Sequence, residues 1–151
     1  MSAAAELRRR ALAWLARREH SRAELRRKLA PHAPSPEDLD ALLTELEAHN
    51  WLSDRRAAEQ AIHRERAKYG SRRIGQKLKE QGIDEAVAGQ ALEQLAGTEE
   101  ETARAVLRRK FPEPPADPRE RAKQYRFLLQ RGFASDLIRR VMRDRGAGES
   151  E

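Results

Sequence analysis

The stretch KYGSRRIGQKLKEQGID, residues Lys68–Asp84, decides how the chain is to be read. It carries five basic side chains, while Ile74 and Leu78 stand four residues apart. On a helix that spacing makes one thin apolar stripe beneath a basic surface. Gly82 is placed for a left-handed cap at the end of that helix, and Asp84 for the cap of the next. Short basic helices with little apolar surface cannot stand alone, so the fold must supply them with neighbours.

The pattern recurs on both sides. KLKEQGIDEAV and LLQRGFASDLI each place a Gly four residues after a Leu and follow it with an apolar residue. In ELRRKLA, Leu25 and Leu29 answer Ile74 and Leu78. The period is about 50 residues, within the range of helical repeats. Helix starts are marked at Ser21-Arg-Ala-Glu24 and Thr98-Glu-Glu-Glu101, which read as capping boxes, and at Ser35, Ser53, Asp117 and Ser135. Asn50, Gly82 and Gly132 stand at helix ends. The expected interior runs through Leu7, Ala11, Leu12 and Leu15; Leu39, Leu42, Leu43 and Leu46; Ala58 and Ile62; Val87, Leu92 and Leu95. It continues through Ala103, Val106, Leu107 and Phe111; Ala122, Tyr125, Leu128 and Leu129; and Leu137, Ile138, Val141 and Met142. No segment alternates as a strand would.

The fold class is therefore all-α, with three tandem three-helix repeats forming an elongated, curved helical array. The repeats are expected at 1–52, 53–96 and 97–145, followed by a flexible tail at 146–151. Each has too little apolar surface to be comfortable alone and should bury a face of its neighbour.

Composition agrees. Charged residues make up 37% of the 151 residues, yet both signs are abundant and the net charge is only +6. With large apolar residues at helical spacing, this favours a thin-cored globular chain over disorder. There is no cysteine, which excludes disulfide and thiolate chemistry and fits a cytoplasmic location. No apolar run approaches the roughly 20 residues of a membrane span. The Arg-rich start contains Glu6 and Glu19 and continues into a capped helix, unlike a transit peptide.

Charge falls in blocks. Residues 1–30 carry nine basic and three acidic groups, and residues 31–50 five acidic and none basic. Residues 51–82 carry nine basic and four acidic groups, 83–103 six acidic and none basic, and 104–145 thirteen basic and five acidic. A pI near 10.1 implies attraction to polyanions or acidic protein faces. The candidate partner- or DNA-binding residues are Arg22, Arg26, Arg27 and Lys28 on the second helix, with Arg72, Arg73, Lys77 and Lys79 on the corresponding helix of the middle repeat. The opposing possibility is that basic and acidic blocks face each other within the scaffold.

Chemistry is absent from the motifs. His20, His32, His49 and His63 show no ligand spacing and read as surface or capping residues. No phosphate loop, dinucleotide fingerprint or nucleophile elbow occurs. The expectation is a non-enzyme without catalytic, cofactor or metal residues.

Over ALAWLARREHSRAELRRKLA, NWLSDRRAAEQAIHRERAKYGSRRIGQKLKEQGID and FLLQRGFASDLIRRVM, the chain resembles the bacterial RecX regulatory proteins, from about Leu7 to Met142. The resemblance implies an all-helical protein of three-helix repeats that negatively modulates the RecA recombinase. It implies binding in the groove of the RecA–DNA filament, limiting filament growth and inhibiting ATPase, strand-exchange and coprotease activities. The implied partners are the filament and, weakly, single- and double-stranded DNA, with the protein a monomer. The chain departs from the family at Ala57 and Ala61, where relatives often carry Phe, so a thinner middle core is expected. The competing readings are a stand-alone basic DNA-binding helical protein and a structural adaptor. The first is poorly served by base-reading side chains, since only Gln76 stands on the middle candidate helix.

Overall fold

Ser2 opens the first helix, α1 (Ala3–Arg17), by accepting the Ala5 amide on its hydroxyl at 3.1 Å. The computed structural model describes residues 2–149, with side chains described through Gly146. Among these the chain is helical throughout: α2 (Arg22–Leu29), α3 (Pro36–Ala48), α4 (Asp54–Glu65), α5 (Ser71–Glu80), α6 (Glu85–Leu92), α7 (Glu99–Lys110), α8 (Pro118–Gln130) and α9 (Ser135–Glu149). Short 3₁₀ turns at Ala30–His32 and Glu93–Leu95 follow α2 and α6. The chain is all-α, in tandem helical repeats.

The predicted punctuation is largely present. Ser21, Ser35, Ser53 and Asp117 each accept an amide three residues on, at 2.8–3.2 Å. Each satisfies a donor that the first helical turn leaves orphaned. Glu120 also reaches back to the Ala116 amide at 3.0 Å. Asn50, Gly82 and Gly132 all have positive φ, and each ends a helix in the left-handed conformation. Two capping boxes differ from expectation. Glu24 leaves the cap and grips Arg18 instead. Thr98 makes no side-chain cap at all: its hydroxyl accepts from Arg66 at 3.3 Å, and the neighbouring Glu99 carboxylate takes the Ser71 amide at 2.6 Å.

By contacts the chain forms two compact units. One comprises the chain up to Ala61 together with Leu78–Ala91; the other comprises Ile62–Lys77 together with the chain from Leu92 onward. The middle triplet thus contributes to both.

In the first unit a leucine core joins Leu7 and Ala11 of α1, Leu25 and Leu29 of α2, and Leu39, Leu42, Leu43 and Leu46 of α3. Leu12, Leu15 and Trp14 flank it, partly buried. Each fully buried leucine is worth about 1.5–3 kcal/mol of transfer free energy. Ala57 and Ala61 are buried as well, so small side chains admit close packing where larger ones were expected in relatives. Gly82 approaches Ala23, and the Ser21 hydroxyl donates to the Gln81 carbonyl, tying the α5–α6 turn to α2.

In the second unit the core is Ala103 and Leu107 of α7, Leu128 of α8, Phe133, and Leu137, Ile138, Val141 and Met142 of α9. The phase of α8 differs from the sequence reading. Leu128 is buried, but Leu129 is 42% exposed and Ala122 lies outside, while Gln124 is only 2% exposed. Gln124 is satisfied there: its amide donates to the Glu113 carbonyl at 3.3 Å and its oxygen accepts from Arg145 at 3.2 Å. A buried glutamine, hydrogen-bonded at both its amide nitrogen and its oxygen, thus faces inward where the hydrophobic count put Ala122 and Leu129. The backbone of residues 146–149 continues α9, where a polar tail was expected; residues 150 and 151 of that tail lie outside the described residues.

Candidate functional site

The α2 cations come first, because Leu25 and Leu29 anchor one face of that helix and leave the other basic. Arg22 pairs with Glu47 and lies 3.3 Å from the Thr44 hydroxyl, while Arg26 pairs with Asp40. The basic block of α2 therefore meets the acidic block of α3 inside the first unit. Arg8 of α1 adds a third such pair, with Glu45. Lys28 is drawn inward: its ammonium lies 4.4 Å from the Trp14 ring centre and 3.1 Å from His20 Nε2. Arg27 alone of the four is exposed without a side-chain hydrogen bond or ion pair among the described residues.

His20 is buried rather than on the surface. Its Nδ1 faces the Arg18 carbonyl at 3.0 Å, which makes Nδ1 the protonated nitrogen and Nε2 the acceptor for Lys28. Burial holds its pKa below the ordinary histidine value, with the nearby cations Arg18 and Lys28 acting in the same direction. Burial likewise lowers the Lys28 pKa, and Arg18 adds to it. For Glu24 burial alone would raise the carboxyl, but the Arg18 guanidinium at 2.5 Å holds it below the usual range. This cluster is self-satisfied and structural.

On α5 the candidates divide in the same way. Lys77 sits 2.6 Å from Glu65, whose carboxyl it holds low by hydrogen bonding. The Arg73 guanidinium lies 4.1 Å over the Tyr69 ring and 3.4 Å from the Gln130 carbonyl. Arg72 and Lys79 are exposed and unpaired among the described residues. Of the eight candidates, then, Arg27, Arg72 and Lys79 keep open cationic heads, and the rest are engaged within the fold.

A second basic feature, in the second unit, was not singled out from sequence. A cleft of about 460 Å³ lies between the α4–α5 turn, the last two turns of α7 and the end of α8. Lys68, Arg109 and Lys110 stand exposed on it without ion pairs among the described residues, and Arg131 lies 5.2 Å from both the Tyr69 and Phe127 rings. Ala67, Ala105 and Val106 supply apolar wall, and no carboxylate lines it. The excess of basic groups over residues 104–145 was the available signal, but it did not say which would lack partners. Arg104 and Arg140, from the same block, are spent on Glu100 and Asp144.

Three unpaired cations and a cleft can bind an anionic surface. Among the described residues no group of three or more His, Asp or Glu could hold a metal ion. No helix among the described residues is long and apolar enough to cross a membrane.

Three family models match in chain order: the first three-helix domain of RecX over residues 8–46, the second over 53–92 and the third over 98–142. The chain is 49% identical over 136 residues to the regulatory protein RecX of Ralstonia nicotianae, covering 90% of this chain and 86% of that one. It is 50% identical over 133 residues to the Herbaspirillum seropedicae protein of the same name, covering 88% and 86%. The Neisseria gonorrhoeae counterpart is 45% identical over 137 residues, covering 91% and 89%. In fold, the crystal structure of RecX from Lactobacillus salivarius superposes with a TM-score of 0.84 at 20% identity, over 96% of this chain and 97% of that one.

Proposed function

Because the chain belongs to the RecX family of regulatory proteins, we propose that it restrains the RecA recombinase by binding in the groove of the RecA–DNA filament. There it limits filament growth and lowers ATP hydrolysis, strand exchange and coprotease activity. The observation that carries this reading is the in-order match of all three three-helix domains at 45–50% identity to relatives covered over most of their length.

The physical side of the proposal lies in the unpaired cations. A guanidinium already paired inside the fold must give up its partner before it meets another, so its net gain is small. Among the described residues Arg27, Arg72 and Lys79 have no such partner to lose. They meet phosphates or carboxylates of the filament at full electrostatic gain, and the contact is accordingly salt-dependent. The protein acts as a cytoplasmic monomer, and its own affinity for single- or double-stranded DNA is weak.

The test is steady-state ATP hydrolysis by the recombinase of the same species on single-stranded DNA. Substoichiometric to equimolar protein should depress hydrolysis and shorten filaments. Unchanged hydrolysis and filament length at equimolar protein would refute the proposal.

A further inference from the structure

The cleft of the second unit combines two properties that a merely solvated helix face does not need. Its rim is cationic, through Lys68, Arg109 and Lys110, none of which is in a salt bridge among the described residues. Its wall is aliphatic and concave, with Ala105 exposed and Val106 half-buried between the cations. Basic residues in the last turn of α7 do complement the helix dipole. That accounts for charge at Arg108–Lys110, but not for an apolar hollow beside it or for Lys68 arriving from another segment.

The chemistry of the hollow selects among anions. A nucleic-acid strand held without sequence preference stacks its bases on open aromatic faces. Here Tyr69 is covered by the guanidiniums of Arg73 and Arg131, at 4.1 and 5.2 Å, and Phe127 by Arg131 and the edge of Phe111. Beside these half-buried rings, which the guanidiniums cap, lies a small aliphatic patch ringed by point charges. An acidic peptide supplies the match: carboxylates for the rim and one alkyl side chain for the patch. We propose that the cleft formed by Lys68, Ala105, Val106, Arg109 and Lys110 is a docking site for an acidic segment of a protein partner, anchored by a single aliphatic side chain.

The test needs only the isolated full chain, so its outcome is separate from that of the recombinase assay. The probes are a fluorescein-labelled synthetic peptide of about ten Asp and Glu residues with a central Leu, the same peptide with Ser for Leu, and a labelled oligothymidylate. Anisotropy should show the Leu peptide binding about fivefold or more tighter than the Ser peptide, as one buried aliphatic side chain requires. Arg109→Glu with Lys110→Glu should weaken both peptides about tenfold or more. Ala105→Trp, which fills the hollow without changing charge, should abolish the difference between the peptides. Ala67→Trp does the same from the opposite wall and serves if Ala105→Trp melts early. Equal affinity of the two peptides, or a Leu preference that survives both Trp variants, overturns the proposal. So does an oligothymidylate that binds more tightly than the Leu peptide and is weakened by the Trp variants, because the cleft would then be a nucleic-acid site.

Discussion

Gly70 and Gly132 show how much depends on two missing methyl groups. In the second unit the Gly70 amide donates to the Arg131 carbonyl at 2.8 Å, and the Arg72 amide to the Gly132 carbonyl at 3.0 Å. A Cβ on Gly70 would lie 2.5 Å from the Gly132 oxygen and 2.7 Å from the Phe133 ring. Backbone cannot give way as a side-chain tip can, so Gly70→Ala should cost about 1–3 kcal/mol. Gly97→Ala, with nothing within 4 Å, should be neutral or slightly stabilising. Thermal melts followed by circular dichroism separate the two. His20 sets a second residue-scale expectation. Its folded pKa is lowered by burial, so the unfolded chain takes up the proton first as pH falls. The stability that neutral His20 contributes is complete above about pH 6.5 and is lost as pH falls through the lowered folded value. Glu24 adds its own loss only in the carboxylate range, below about pH 4.5. Denaturant titrations between pH 7 and 5 should show wild-type stability declining, and His20→Gln should flatten that slope. An equal slope in both would remove the buried-histidine account.

Helix by helix, the caps distinguish what sequence can tell from what it cannot. Ser21 and Thr98 open similar motifs, yet Ser21 caps α2 at 3.0 Å and also donates to the Gln81 carbonyl, while Thr98 caps nothing. Ser21→Ala should therefore cost about 1–2 kcal/mol, and Thr98→Ala only a few tenths. Urea unfolding of the two variants checks this, and equal losses would contradict it. The helices themselves were legible, because Leu stripes, prolines and positive-φ caps at Asn50, Gly82 and Gly132 act locally. The phase of α8 was not, because apolar periodicity cannot register a glutamine whose amide finds the Glu113 carbonyl and Arg145. The candidate cations were legible as a class only. Arg26 and Arg72 look alike in sequence, and what separates them is Asp40, brought to Arg26 by the packing of α3 on α2.

For the whole molecule, the net charge of +6 conceals two kinds of cation. On α2, Arg22 and Arg26 are neutralised by α3 within the first unit, while Arg27, and Arg72 and Lys79 on α5, remain open among the described residues. Inhibition carried by open cations should weaken as salt rises from about 50 to 200 mM, since exposed charges are screened over a Debye length of about 10 Å at 0.1 M. The measurement that tests this most directly is the concentration of protein that halves recombinase ATP hydrolysis on single-stranded DNA. Arg72→Glu with Lys79→Glu should raise that concentration about tenfold or more with an unchanged melting curve, whereas Arg26→Ala should leave it within about twofold. Undiminished inhibition by the double variant, or an equal loss with Arg26→Ala, would contradict the assignment of the contact to the unpaired cations.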